Sequence, residues 1–86
     1  MERKPLIDLK RLGKNLKKLR TDSDFSQREL AENMGKFYGV TWNKVMISKW
    51  ESGKTLMKLE NIVVYSQYFN VKIDKLLYGN INNIKE

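Results

Sequence analysis

A chain of 86 residues has room for a single hydrophobic core, and the absence of Cys and His excludes disulfides, thiolate metal sites and the commonest general base. Hydrophobic residues make up 41%, enough for a globular fold, while no apolar run approaches the roughly 20 residues of a membrane-spanning helix. Seventeen Lys and Arg against ten Asp and Glu give a formal charge of +7, which points to a polyanionic partner.

The charge is concentrated in two blocks. Residues 1–22 carry Arg3, Lys4, Lys10, Arg11, Lys14, Lys17, Lys18 and Arg20 against Glu2, Asp8 and Asp22. The stretch from Lys44 to Lys58 holds four Lys, with Glu51 as its only acid. The opening MERKPLIDLK has no apolar stretch long enough for a secretion signal. The expectation is a soluble cytoplasmic protein.

Apolar spacing is helical almost throughout. Leu9, Leu12, Leu16 and Leu19 recur at three- and four-residue intervals and predict an amphipathic helix near residues 7–21, with Pro5 just before it. Thr21 to Asp24 is a polar turn. Ser26 opens a second helix, and Glu29 completes a capping box with it. Leu30, Met34, Phe37 and Tyr38 share one face, so this helix is expected to run over 27–38 and to end at Gly39 in a left-handed C-cap.

Thr41 is the next N-cap candidate, for a third helix over 42–52 with Met46, Ile47 and Trp50 inward and Gly53 at its end. Thr55 is expected to cap a fourth helix over 56–69, with Leu59, Ile62, Val63 and Phe69 facing the core. Asn70 and Val71 form a bend before a short fifth helix over 73–78, which turns Ile73, Leu76 and Leu77 inward. Residues 80–86 read as a polar tail after a domain of 1–79. The fold class is therefore all-α, with five helices and no hairpin signal, repeat or linker.

Three segments, LKKLRTDSDFSQRELAENMG (Leu16 to Gly35), ISKWESGK (Ile47 to Lys54) and VKIDKLLYG (Val71 to Gly79), occur in that order on these helices. Together they resemble the Cro/phage-repressor type of helix-turn-helix domain, the XRE family, across Leu9 to Gly79. The resemblance implies a compact lambda-repressor-like fold and sequence-specific binding of double-stranded DNA by a transcriptional regulator, a repressor in the family's type. Its third helix would read the major groove while the second props it against the backbone.

Ala31 is small enough to let the two helices of the motif approach closely. Ile47 and Trp50 anchor the inner face of the third helix, leaving Lys44, Val45, Ser48 and Lys49 outward as candidate base contacts. Lys donates to guanine O6 and N7, Ser serves either base edge, and Val meets a thymine methyl. The resemblance implies phosphate contacts at Gln27, Asn43, Lys54, Thr55 and Lys58, which position the domain without reading sequence. It also pairs Arg20 with Glu51 as a structural brace, a role that suits the planar guanidinium fork.

One departure from the family stands out. The stretch from Met34 to Ile47 is about six residues longer than the usual helix–turn–helix connection. Two readings fit. Either helices two and three are both lengthened, with Phe37, Tyr38 and Trp42 clustered in support, or residues 35–43 form an ordered loop that touches DNA or a partner. Periodicity persisting across Gly35 favours the helical version.

Ser52-Gly53-Lys54-Thr55 resembles the end of a P-loop, but the motif's first Gly would fall on Ser48, inside a helix. No pair of acidic, Lys, Ser or Tyr residues converges as a catalytic site, so an enzyme is not the expected class, and neither metal nor cofactor is expected. The competing reading is a protein–protein adaptor or antitoxin-like module, for which Tyr65, Tyr68 and Tyr78 are a candidate contact surface. Dimerisation on a palindromic operator is expected, because one recognition helix covers only a half-site.

Overall fold

The computed structural model describes residues 6–81. They form α1 (Leu9–Asp22), α2 (Gln27–Tyr38), α3 (Lys44–Glu51), α4 (Leu59–Phe69) and α5 (Ile73–Tyr78), with no strand among the described residues. Pro5 and residues 82–86 lie outside that range.

Local chemistry sets most of the boundaries. Asp8 caps α1 by accepting the Arg11 N–H at 3.1 Å. At α2 the capping box is complete: Glu29 N–H donates to Ser26 Oγ at 3.0 Å, and Ser26 N–H donates to Glu29 Oε1 at 2.8 Å. Gly39 ends α2 at φ 71°, a conformation glycine adopts without steric cost. Asn70 closes α4 in the same left-handed region, at φ 55°.

Two helix starts differ from the sequence expectation. The third helix begins at Lys44, not Trp42, and its cap is Asn43, whose Oδ1 accepts the Met46 N–H at 2.9 Å. Thr41 caps nothing. The reason is the side chain of Trp42, which is buried against the core and holds residues 42–43 extended, Asn43 lying at φ −139°. Of the two expected lengthenings, only that of α2 is present.

The fourth helix begins at Leu59, not residue 56, and Lys58 rather than Thr55 occupies its N-cap position, without a side-chain hydrogen bond. Met57 is buried before the helix starts, so residues 54–58 run as an extended connection. Leu59, expected inside, is 68% exposed.

Leu12, Leu16, Leu30, Met34, Ile47, Tyr65 and Leu76 are sealed from solvent in one core, with Trp42 and Trp50 beside them. Each such aliphatic side chain contributes about 1.5–3 kcal/mol on burial. Trp42 stacks on Tyr65 (centroids 5.1 Å apart, 26° between planes) and meets Trp50 edge to face at 4.9 Å. The expected Phe37–Tyr38–Trp42 cluster is therefore divided. Phe37 and Tyr38 pack instead on Tyr68, at 5.9 and 6.4 Å, Phe37 staying largely exposed and Tyr38 partly so. Tyr65, read as a surface aromatic, is wholly buried.

Two contacts lock α1 to the rest. A Cβ placed on Gly13 would lie 2.4 Å from the Glu51 carbonyl oxygen and 2.7 Å from that of Trp50, so α1 crosses the end of α3 backbone to backbone. On the neighbouring face the buried Asn15 amide donates to the carbonyls of Leu76 (2.8 Å) and Gly79 (3.1 Å), and its Oδ1 accepts the Ile81 N–H at 3.4 Å. Ile81 is itself 1% exposed, so packing continues past the Gly79 boundary expected from sequence.

Candidate nucleic-acid interface

The 3.6-residue period of α3 divides its eight residues into two faces. Ile47 and Trp50 point into the core, while Lys44, Val45, Ser48 and Lys49 are all exposed on the outer side. None of these four side chains makes a hydrogen bond or ion pair among the described residues. Among the described residues the ion pairs are Lys18–Asp22 and Arg20–Glu51, which leaves Lys44 and Lys49 free to donate outward.

The end of α3 is held by a hydrogen-bonded brace. Arg20 Nε donates to Glu51 Oε2 at 2.6 Å and Nη2 to Glu51 Oε1 at 3.0 Å, while Nη1 donates to the Phe25 carbonyl at 2.7 Å. Gln27 Nε2 adds a further donor to Glu51 Oε1 at 3.1 Å. Both charged side chains are largely shielded from water, at 10% and 4% exposure. Hydrogen bonding to Glu51 raises the Arg20 pKa above its ordinary value against an opposing effect of burial, so the guanidinium stays charged. Removing either partner would strand a buried charge, at a cost of about 3–5 kcal/mol.

Around this helix lie the other candidate residues. Gln27 opens α2, where the Glu29 and Leu30 N–H groups are taken up by Ser26, which leaves the backbone N–H groups of Gln27 and Arg28 as the ones without an acceptor in the helix. Its side-chain amide is turned inward to Glu51, which makes Gln27 part of the brace. Asn43 is exposed with its Oδ1 engaged in capping α3. Lys54, Thr55 and Lys58 are exposed along the connection between α3 and α4. The structure thus brings the α2 start, the α3 outer face and that connection together around the α3 terminus.

Three residues of consequence, Arg28, Gly13 and Asn15, escaped the sequence reading, and a fourth, Trp42, has a role other than the one expected. Arg28 is exposed on α2 and lines a cleft with Asn43, Lys44 and Val45. Its signal is a cation in the first turn of a helix, where the macrodipole disfavours positive charge. Trp42 holds the connection before α3 by donating from Nε1 to Asn61 Oδ1 at 3.1 Å. Gly13 and Asn15 break the helical pattern of α1, a glycine mid-helix and an amide on the apolar face, and both breaks mark tight contacts.

This arrangement, two helices joined at a small-residue contact with the second presenting an open polar face, defines a helix-turn-helix domain of the XRE, lambda-repressor-like type. Residues 16–76 match the Helix-turn-helix family, and the chain belongs to it. It is 38% identical over 67 residues to the HTH-type transcriptional activator BcrR of Enterococcus faecalis, a match over 78% of this chain and 30% of that protein. The chain therefore spans less than a third of that relative's length.

Among solved structures, the P22 c2 repressor in complex with a synthetic operator shares 29% identity at a TM-score of 0.63, over 80% of this chain and 96% of that one. The hypothetical transcription factor NHTF from Neisseria shares 25% identity at a TM-score of 0.68, over 91% and 84%. The S. venezulae BldD DNA-binding domain, at 22% identity and a TM-score of 0.65 over 80% and 94%, is alike in fold.

Proposed function

We propose that this chain binds double-stranded DNA with sequence preference and acts in transcription regulation, with α3 seated in the major groove. The observation that carries this reading is the outer face of α3: Lys44, Val45, Ser48 and Lys49 are exposed on a helix whose end is fixed by the Arg20–Glu51 brace. A face that reads base edges must be both free of internal partners and held rigidly. This one is both.

In this reading Lys44, Val45, Ser48 and Lys49 meet base edges, Asn43, Lys54, Thr55 and Lys58 hold phosphates, and Gln27 offers a phosphate its backbone N–H while its side chain braces Glu51. The operator is palindromic and the protein a homodimer, with α4 and α5 as the contact surface, where Leu59 and Tyr78 are exposed. It works on DNA in the cytoplasm, on the nucleoid, and has no enzymatic activity of its own. The relatives include both an activator and a repressor by name, and DNA binding is common to both modes.

Selection of bound duplexes from a random pool, followed by gel shift against salt, tests the proposal. A consensus should emerge, and affinity should fall with a double-log slope of about 0.9 per phosphate contacted. No binding to any duplex at low salt would overturn it. The adaptor reading has one observation in its favour, the exposed Phe37 and Tyr38 on Tyr68. It predicts a protein partner whose binding is nearly independent of salt.

A further inference from the structure

The open cleft between α2 and the start of α3 has Ala31 and Trp42 in its lining, with Asn43, Lys44 and Val45 on the α3 side and Arg28 on the α2 side. We propose that Arg28 is a further base-reading residue, which reaches a guanine edge beside the position met by Val45 and Lys44. This rests on the DNA-binding reading above.

Three observations converge on it. Arg28 is exposed and makes no ion pair or hydrogen bond within the described residues, although Glu32 lies one turn along in the same cleft. An Arg preceding a Glu by four residues is the weaker orientation for a helical pair, in keeping with their separation. The guanidinium is therefore not spent on the scaffold.

Its place in the helix is locally unfavourable. The first turn of α2 carries the positive end of the helix dipole, and the capping box supplies the acid that suits it, Glu29. A cation there works against the helix and gains no compensating hydrogen bond or ion pair among the described residues. Residues that break a local rule without an internal return are where function is expected.

The cleft also determines what Arg28 can reach. Gln27, its neighbour, turns inward to Glu51, whereas Arg28 faces the N-terminal half of α3, beside the candidate base contacts. Of the candidate phosphate contacts, Asn43 lines this cleft, whereas Lys54, Thr55 and Lys58 lie on the connection beyond the other end of α3. A planar five-donor fork in that position matches guanine O6 and N7 through two parallel bonds, which an ammonium cannot reproduce.

The test uses the duplex selected above and its complete set of single-base variants, bound by the wild type, Arg28→Lys and Arg28→Ala. Base reading predicts that Arg28→Lys lowers affinity for the selected duplex by about 5- to 150-fold. It also predicts that discrimination flattens at one or two adjacent base pairs while the salt slope stays unchanged. Arg28→Ala should show the same flattening. Circular dichroism melts matching the wild type separate this from misfolding, and Arg28→Gln, with a shorter planar amide, provides a second variant if alanine proves unstable. Wild-type preference in Arg28→Lys, or uniform weakening of every duplex in Arg28→Ala, overturns the inference and leaves DNA binding standing. A wild type that binds no duplex removes both.

Discussion

Trp42 Nε1 donates to Asn61 Oδ1 at 3.1 Å, joining the residue before the α3 cap to the first turn of α4. This bond ties the connection that leads into α3 to the neighbouring helix. The extra residues form one more turn of α2 and a short crossing, and Trp42 anchors the crossing against Tyr65 and Trp50. Asn61→Ala leaves the indole N–H without its partner in a largely buried position and should destabilise the domain by about 1–3 kcal/mol. Chemical denaturation measures this, and an unchanged midpoint would show that water replaces Asn61 at no cost.

Gly13→Ala is a test in which two effects oppose each other. Helix propensity alone favours alanine by about 1 kcal/mol. The added Cβ, however, meets backbone oxygen at 2.4 Å, and backbone cannot swing aside as a side chain can. The clash should win, so the melting temperature falls and α3 is displaced. A rise in melting temperature would mean that the two helices are less tightly apposed.

Tyr65 gives the opposite expectation. Its ring is central to the core, but the hydroxyl has no hydrogen-bond partner among the described residues, and burial raises its pKa far above the ordinary phenol value. An unsatisfied buried polar group costs about 1–3 kcal/mol. Tyr65→Phe should therefore be neutral or stabilising in a thermal melt, against the usual loss for a core substitution. A clear loss would point to a buried water on the hydroxyl.

The α2 cap should be visible in the acid limb of stability. The Ser26 backbone N–H, with the Ser26 hydroxyl adding to it, holds the Glu29 carboxyl below its ordinary value of 4.5. A carboxylate whose pKa is lower folded than unfolded contributes fully above the unfolded value and loses that contribution as pH falls through the folded one. Glu29→Gln should thus melt with a flatter decline on acidification than the wild type. Parallel acid limbs in the two proteins would argue against the cap as a source of pH dependence.

Lys49 and Lys58 separate reading from positioning. Lys49 lies on the outer face of α3, whereas Lys58 precedes α4. Lys49→Ala should relax sequence preference, and Lys58→Ala should weaken all duplexes alike while reducing the salt slope by about 1. Equal effects in a competition gel shift would remove the distinction.

The parts legible in the sequence are those governed by neighbours along the chain. Ser26 and Glu29 announce the capping box, Gly39 the end of α2, and the spacing of Ile47 and Trp50 the two faces of α3. What is missed depends on distant partners. Trp42 reads as helical from periodicity, and only its burial between Trp50 and Tyr65 shows why the chain must be extended there. Thr55 is the better capping residue by type, but burial of Met57 delays α4 to Leu59. The hydroxyl of Tyr65 suggests a surface, although its position three residues after Ile62 lies on the buried stripe. Of the candidate interface, the motif indicates which residues face outward, while the cleft that brings Arg28 beside Val45 arises only when two helices cross.

Asn15 has a practical consequence for anyone wishing to transplant this domain. Its amide joins the first helix to the backbone that follows α5, so the two ends of the packed unit are mutually dependent. A chain cut after Gly79 would retain all five helices yet lose Ile81 and the N–H that Asn15 accepts. The damage would then pass along α1 to its crossing with α3 at Gly13. This clasp sets a lower bound on any portable unit, which must extend at least through Ile81.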